Sequence, residues 1–551
     1  MSISVNQRSS ASHPPPLIIG AGMAGLSAAL HLAERGLPPL VLEADQRYPG
    51  GRVAGGDVIE LEHGGRIWRF RDEHGVHGVW SAYHNLQAML ARHGIRPAFV
   101  PAQEESWIYK HKGRIRWANV GSAIRHSWVP APLHFLALFF RPRFLSILGL
   151  RDWLSLPHVW AGLLFAVGID PLREGQPMQG QTLGSFVWGW PPALRAMFAG
   201  LGRNFLSAHP EETPLSGFVS FLRFYMLLRR DAWAYSYMPA DGGASLVEPI
   251  LARLREMGGE LKLGHTVTHV ERSPDGWRVY WQRAQDGASG SIQTQQLILA
   301  TDAPNAEKIL SAMPPPLNPP QGGGGESPRT FPPQRGTEGG STVLRHSSFV
   351  SYFPRAMPTA IIHLWYDRAP DAKAEAGVLS GEFIIDNYFW LHRIQDAYVE
   401  WHKATGGSAV QVHIYGPPEA LEQPDAVLLA QAAADVHSAF PKLRGHLIHQ
   451  TMRRNDATHT IFSVGPPERH LGIKTPWPDL YCCGDWVRHP APALFLERAC
   501  ITGIEAANAV LASQRLPVWP LLQGPPPEAL ASFVQRLMLR GRRARRRLKR
   551  S

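Results

Sequence analysis

The run Leu17-Ile18-Ile19-Gly20-Ala21-Gly22-Met23-Ala24-Gly25 constrains this chain more than any other feature. A helical stretch follows it through Ala28, Leu32 and Arg35, and a second apolar strand, Pro39 to Leu42, ends in Glu43. An apolar strand that breaks at a Gly-x-Gly-x-x-Gly turn, opens a helix and returns as a strand ending in an acid is the βαβ unit of dinucleotide binding. Gly20 permits the tight turn, Gly22 lets the backbone approach a pyrophosphate, and Gly25 lets helix and strand pack closely. The helix N-terminus offers free N–H groups to phosphates. Glu43 is placed to accept hydrogen bonds from ribose hydroxyls, and Met23, Ala24 and Ala44 complete the candidate contacts. Glycine-rich turns also occur without a ligand; the flanking strands and the acid in register single this one out.

Pro49-Gly50-Gly51-Arg52 follows, where a plain nicotinamide dehydrogenase would continue into its next βα unit. This block resembles the flavin amine oxidase and phytoene desaturase superfamily, whose second strand leads into a Gly-Gly-Arg turn. The resemblance implies FAD, with Gly51 and Arg52 near its pyrophosphate. Taken alone, Gly50-Gly51 is an ordinary turn and Arg52 a solvated charge.

A second block, Leu480-Tyr481-Cys482-Cys483-Gly484-Asp485-Trp486, then Leu496-Glu497-Arg498-Ala499, Thr502-Gly503 and Ala506-Ala507-Asn508, is similar to the C-terminal flavin signature of the same superfamily. The resemblance implies that Gly484 and Asp485 approach the ribityl-pyrophosphate part. It also implies that Glu497 is a cofactor contact and that the helix beginning near it points its N-terminus at the flavin, where negative charge on the reduced ring is stabilised. The small residues also serve close helix packing, and both readings hold together.

Between the blocks, Leu261 to Leu263, Thr266 to Glu271 and Trp277 to Tyr280 predict strands around a Pro274-Asp275-Gly276 turn. Leu297 to Thr301 predicts a buried strand. By resemblance these close the FAD domain, with the backbone at Val267 facing the adenine, and Asp241-Gly242-Gly243 leads into a helix through Leu254. The segment Asp72 to Trp80 matches the family stretch that passes the flavin ring, where Gly75 and Gly78 allow close backbone approach. His74 and His77 are either acid–base groups or satisfied structural histidines. Amine oxidases of the superfamily place a lysine near the flavin, and no lysine here is assignable to that place.

The implied fold is α/β: a glutathione-reductase-like, Rossmann-type FAD-binding domain with an inserted mixed α+β substrate domain. Residues 17–101, 236–313 and 470–515 are expected to form the discontinuous FAD domain, and 102–235 with 342–469 the cap. Residues 1–16 and the Pro- and Gly-rich 314–341 are expected to be disordered, leaving 516–551 as a C-terminal segment. At 551 residues the chain has length for two domains.

The charge is unevenly placed. The chain carries a net +11, yet Arg536, Arg540, Arg542, Arg543, Arg545, Arg546, Arg547, Lys549 and Arg550 crowd its end with no acid among them. Such a tail is either solvated or drawn to an anionic membrane face. Its apolar partners Leu537, Met538, Leu539 and Leu548, without aromatic platforms for bases, argue against nucleic acid. The cap segment carries Trp128, Leu136 to Phe140, Phe144 to Leu148 and the charge-free run Trp153 to Ile169. That run holds Pro157 and His158 and falls short of a transmembrane helix. Phe218, Phe221, Leu222 and Tyr225 recur at helical spacing, as core or as ligand surface. Three cysteines give no disulfide framework, Cys482 and Cys483 fit a buried strand, and no metal-binding cluster appears. The N-terminus lacks the apolar core of a signal peptide. The expected location is cytoplasmic and peripherally membrane-associated.

Within the superfamily the chain most resembles carotenoid desaturases. Gly75 to Leu90 and Phe99 to Glu105 are similar to the isorenieratene synthase-like β-carotene desaturase/methyltransferases. The resemblance implies an FAD-dependent oxidoreductase that desaturates, isomerises or rearranges a carotenoid or other isoprenoid lipid by hydride transfer to flavin N5. The alternatives are a flavin amine oxidase acting on a small amine or polyamine, and a non-catalytic, membrane-associated flavin protein. No catalytic side chain is assigned, and the electron acceptor, a quinone or oxygen, is not legible.

Overall fold

The computed structural model describes residues 14–174, 178, 180–313, 356–462, 464 and 471–548. The 314–341 insertion, nearly all of the 1–16 segment, Lys549, Arg550 and the side chains of Arg545, Arg546 and Arg547 lie outside the described residues.

Five short strands make one parallel sheet, in the order Glu260–Lys262, Leu40–Leu42, Leu17–Ile19, Leu297–Leu299, Leu480–Cys482. Four of them are apolar and buried throughout, as strands covered on both faces must be. The edge strand keeps two charges, which discourage further pairing. Helix Met23–Ala33 is buried on every side and packs along helix Phe495–Ser513. A Cβ on Gly503 would lie 2.3 Å from the Ala24 carbonyl oxygen, so this crossing depends on a missing side chain. The two ends of the sequence thereby share one core, with Cys483 and Cys500 fully buried inside it and Cys482 fully buried in the cluster on the other face of the sheet.

Two details differ from the sequence reading. The first helix stops at Ala33, short of Arg35. The Leu261 segment joins the parallel sheet, while His265–Ser273 and Gly276–Arg283 form a hairpin extended by an unanticipated third strand, Ser289–Thr294.

The second sheet has seven strands, in the order Leu447–Asn455, Thr359–Tyr366, Ser408–Ile414, Asn387–Trp390, Ala376–Gly381, Glu105–His111, Arg114–Asn119. Ile362, Leu364, Tyr388, Trp390, Val410 and Val412 point to one face and pack with Leu428 and Val436 of helix Asp425–Ala439. Alternate residues, including Ile361, Asn387, Phe389 and His413, point to the opposite face, where the internal cavity lies. Over that cavity lie the 3₁₀ segment Leu133–Phe140 and helices Leu150–Gly168, Pro192–Leu206 and Leu215–Leu222, the last passing into a π turn, Arg223–Leu227. Phe218, Phe221, Leu222 and Tyr225 are at 1 % exposure or less; Phe218, Phe221 and Tyr225 are core, and Leu222 also lines the cavity. The buried Arg223 guanidinium donates to the Ala166 and Val167 carbonyls, capping helix Leu150–Gly168 with positive charge at its C-terminus.

The basic tail is not free. Residues Ala529–Leu548 form a helix laid on helix Leu150–Gly168, with Met538 filling the space at Gly168 and Arg542 paired with Glu174 at 2.7 Å. Among the described residues no helix is long and apolar enough to cross a membrane.

Candidate flavin and substrate site

The carboxyl ends of the parallel strands open on a cavity of about 730 Å³. Ile19, Gly20, Leu42, Glu43, Ala300, Thr301, Gly484 and Asp485 line it there, the place where doubly wound sheets bind ligands. The three motif glycines have separate tasks. A Cβ on Gly25 would lie 2.0 Å from the Gly20 carbonyl oxygen, so Gly25 serves strand–helix packing and does not line the cavity. A Cβ on Gly22 would meet nothing within 4 Å, because it would project into the open cradle. Gly22 is also the helix N-cap without any side-chain cap, so the first amides face the cavity unsatisfied.

Glu43 ends its strand with both oxygens held: Oε2 accepts the Ala21 N–H at 2.7 Å and Oε1 the Asp45 N–H at 2.9 Å. Burial pushes this carboxyl up, and those two N–H groups oppose the shift. Met23, Ala24, Ala44 and Val267 line the same cavity.

The two distant motifs meet. Gly22 and Gly50 form a single parallel bridge, and Gly51 lies against Gly22. Arg52 Nη2 donates to Asp485 Oδ2 at 2.8 Å, joining residues from the two ends of the chain. Both line the cavity.

Glu497 corrects the sequence reading. It does not line the cavity; its Oε1 accepts from the Asn85 backbone and side chain and its Oε2 from the Leu86 N–H, capping helix His84–Arg92. Being on the second residue after the helix start, it is turned into the neighbouring helix, while Phe495, Leu496 and Ala499 face the cavity. The residue beside it supplies what the sequence did not reveal. Buried Arg498 donates to the carbonyls of Asp485, Val487, His489, Ala491 and Ala493, and so shapes the loop after Gly484-Asp485. Burial lowers this guanidinium to about 10.

Gly75 sits at φ +141°, and a Cβ there would come within 3.2 Å of His413 Cε1. Around it the wall is rich in histidine. His74 Nε2, His77 Nδ1 and His459 Nδ1 are buried without a protein partner and line the cavity. Burial, with Arg52 nearby, lowers His77 to about 4, so it stays neutral. Across the sheet, Val76 N–H donates to Gln411 Oε1 at 2.7 Å, His413 Nε2 meets that oxygen at 2.7 Å, and His413 Nδ1 meets Tyr415 Oη at 2.9 Å. Asn387 lies directly across from His413 on the next strand. These residues were not anticipated, although the alternation Val410-Gln411-Val412-His413-Ile414 carried the signal of a strand with one polar face.

On the cap side the lining is mostly apolar and aromatic, with Phe135, Leu138, Trp160, Leu163, Phe198 and Phe205, and is interrupted by Glu105, Ser106, Asn204 and Asn387. Lys308 is the one lysine on the lining among the described residues, and it belongs to helix Ala303–Ser311 beyond the Leu297–Leu299 strand. Among the described residues there is no cluster able to hold a metal ion.

Residues 18–93 match the NAD(P)-binding Rossmann-like domain, and residues 181–511 match the flavin containing amine oxidoreductase family. The chain belongs to the flavin containing amine oxidoreductases. It is an FAD-dependent oxidoreductase, and the cradle fits that cofactor: a helix start with free amides, an open face at Gly22 and a strand-end acid. Similar proteins include a carotenoid phi-ring synthase of Chlorobaculum tepidum, 22 % identical over 92 % of this chain and 89 % of that one. One from Streptomyces griseus is 26 % identical over 90 % and 88 %. The 15-cis-phytoene desaturase of Arabidopsis thaliana is 25 % identical over 50 % and 46 %. Among solved structures, cyclohexylamine oxidase from Brevibacterium oxydans superposes with a TM-score of 0.60 at 15 % identity, covering 92 % of this chain and 100 % of that one. Putrescine oxidase bound to putrescine gives 0.59 at 13 %, covering 91 % and 99 %. These two share the fold.

Proposed function

We propose that this oxidoreductase desaturates a carotenoid or related isoprenoid polyene, or rearranges it, taking it from an anionic membrane surface. The observation that carries this reading is the long, mostly aliphatic and aromatic cap-side wall of the cavity, on which the carboxylate of Glu105 is already paired with Arg125 at 2.6 Å. The full-length likeness to carotenoid phi-ring synthases supports the same class. Bound FAD supplies a two-electron acceptor for a hydride. Gly22, Glu43, Ala44, Arg52, Val267, Gly484 and Asp485 would hold it, and the cap residues exclude water and align a long apolar chain.

The membrane part of the proposal rests on continuity. Phe139 lines the cavity and its ring lies 5.7 Å from that of Trp153, which is exposed on the same helix as Leu150 and Leu154. Trp128 and Phe140 extend this patch, and exposed Arg141, Arg143 and Arg151 rim it. Apolar residues set among cations suit an anionic bilayer.

The test is product analysis. FAD-loaded protein is incubated with phytoene or β-carotene in liposomes, with a quinone or oxygen as acceptor, and in parallel with small amines and polyamines. Polyene products lacking pairs of hydrogens, or rearranged isomers, support the reading. Aldehydes from the amines, with the polyenes untouched, replace it by amine oxidation.

A further inference from the structure

Making a carbon–carbon double bond removes a hydride from one carbon and a proton from its neighbour, so a desaturase cavity needs somewhere to put that proton. Charged carboxylates are a poor choice in an apolar tunnel, because desolvation disfavours them. The cap sheet offers an uncharged alternative. Its hydrogen-bond directions follow from one donor whose identity is certain, the Val76 backbone N–H. The Gln411 atom facing it must be the carbonyl oxygen, so the His413 Nε2 that also meets this oxygen carries a hydrogen. In neutral imidazole the other nitrogen is then a free acceptor, and Tyr415 donates its hydroxyl hydrogen to His413 Nδ1. The Gln411 amide nitrogen donates in turn to His363 Nε2 at 2.8 Å. Tyr415 is half-buried on the cavity wall, while His413 stands behind it at 3 % exposure.

We propose that Tyr415 is the catalytic proton acceptor of the oxidation, with His413 and Gln411 as its positioning residues; this rests on the polyene reading above. The hydride and its electron pair leave one carbon for the flavin oxidant. The neighbouring C–H bond breaks, its electron pair becomes the π bond, and its proton goes to Tyr415 Oη. Tyr415's own hydrogen moves to His413 Nδ1, and the imidazolium so formed donates its Nε2–H to Gln411 Oε1. Burial keeps His413 neutral, at about 3, so its acceptor nitrogen is free at any physiological pH. A base this weak is adequate, because a carbon beside a cationic centre gives up its proton readily.

Two measurements test the pair. FAD-loaded wild type, Tyr415→Phe and His413→Gln are mixed anaerobically with phytoene or β-carotene in liposomes of phosphatidylcholine and anionic phosphatidylglycerol. Tyr415→Phe should keep its FAD content and half-saturating polyene concentration, and lose about 100-fold or more in the rate of flavin bleaching. His413→Gln should lose rate by about tenfold or more at unchanged half-saturation. The second measurement needs no turnover: in protein labelled with ¹⁵N-histidine, the signal missing from His413→Gln should be a neutral imidazole protonated on Nε2, and it should shift in Tyr415→Phe. Bleaching of Tyr415→Phe at the wild-type rate, or His413 protonated on Nδ1, overturns the proton-accepting pair. Wild type bleached by neither polyene overturns the substrate reading, and the pair with it.

Discussion

The dinucleotide cradle and the cap wall are built from opposite materials. In the cradle the backbone is the working surface: amides at the start of helix Met23–Ala33, glycines whose missing side chains leave space, and one acid held by two N–H groups. In the cap, side chains do everything, and the backbone only sets which of them face inward from seven strands and the helices above. A backbone surface tolerates almost no substitution, whereas a side-chain wall can be re-cut for another substrate. One fold can therefore keep its cofactor and change its chemistry.

The sharpest break in that comparison lies within the glycine turn itself. Gly25→Val forces a side chain onto the Gly20 carbonyl and should cost about 3 kcal/mol or more, read as loss of soluble protein or a collapsed melting temperature. Gly22→Val places its Cβ where no protein atom lies within 4 Å, so the chain should fold with an unchanged far-ultraviolet spectrum yet weaken FAD binding by about 100-fold or more, and purify colourless. If the two variants behave alike, the division of labour within the turn is wrong.

The seam between cradle and cap titrates. Glu73 is buried, accepts a hydrogen bond from Gln395 at 2.5 Å, and burial raises it to about 8. The folded state therefore binds this proton more tightly than the unfolded chain, whose value is near 4.5. The group's contribution is complete below that value and is lost as pH rises through about 8. Buried histidines such as His363, lowered to about 3 by burial, act oppositely below their ordinary range, so the comparison must be with a variant. The stability advantage of Glu73→Gln over wild type should grow between pH 5 and 8, by about 1.4 kcal/mol per unit at most, then level off. A pH-independent difference in denaturant midpoint would remove the buried neutral acid from the account.

Arg52→Ala leaves Asp485 without its partner on the cradle side. The pair is only partly screened by solvent, and FAD affinity should fall by about tenfold, with polyene half-saturation unchanged. The smallest effect belongs to the cap's outer face. Arg536, Arg540 and Arg543 are exposed on the C-terminal helix, while Arg542 is held by Glu174. Replacing Arg540 alone with glutamine should weaken binding to anionic liposomes by about 1 kcal/mol at most, visibly at low salt, with flavin content unchanged. Removing the whole helix is a poorer test, since it strips Met538 from Gly168 and destabilises the cap.

The same contrast explains what could be read from the chain alone. Gly20, Gly22 and Gly25 act over a few residues, and their spacing is the geometry; the strands around them are solid apolar runs. Arg52 and Asp485 were placed separately by resemblance, and only the fold joins them. Glu497 was misread because one helical turn separates residues facing the cavity from those facing a neighbouring helix, and the helix's rotation is set by packing at Gly503. Arg498 and the Tyr415–His413–Gln411 series stayed hidden for a related reason: their partners are loop carbonyls and strands that come together by long-range pairing. The tail helix was legible as charge but not as a packed element, because Glu174 and Gly168, which seat it, lie far away in the chain.

The central claim is that this FAD cradle opens on a cavity made for an apolar polyene. Anaerobic mixing of the yellow, FAD-loaded protein with polyene-bearing liposomes, and separately with small amines and polyamines, tests it through the blue flavin absorbance alone. The account predicts bleaching by the polyene and an unchanged spectrum with every amine. Bleaching by an amine and not by the polyene would contradict it.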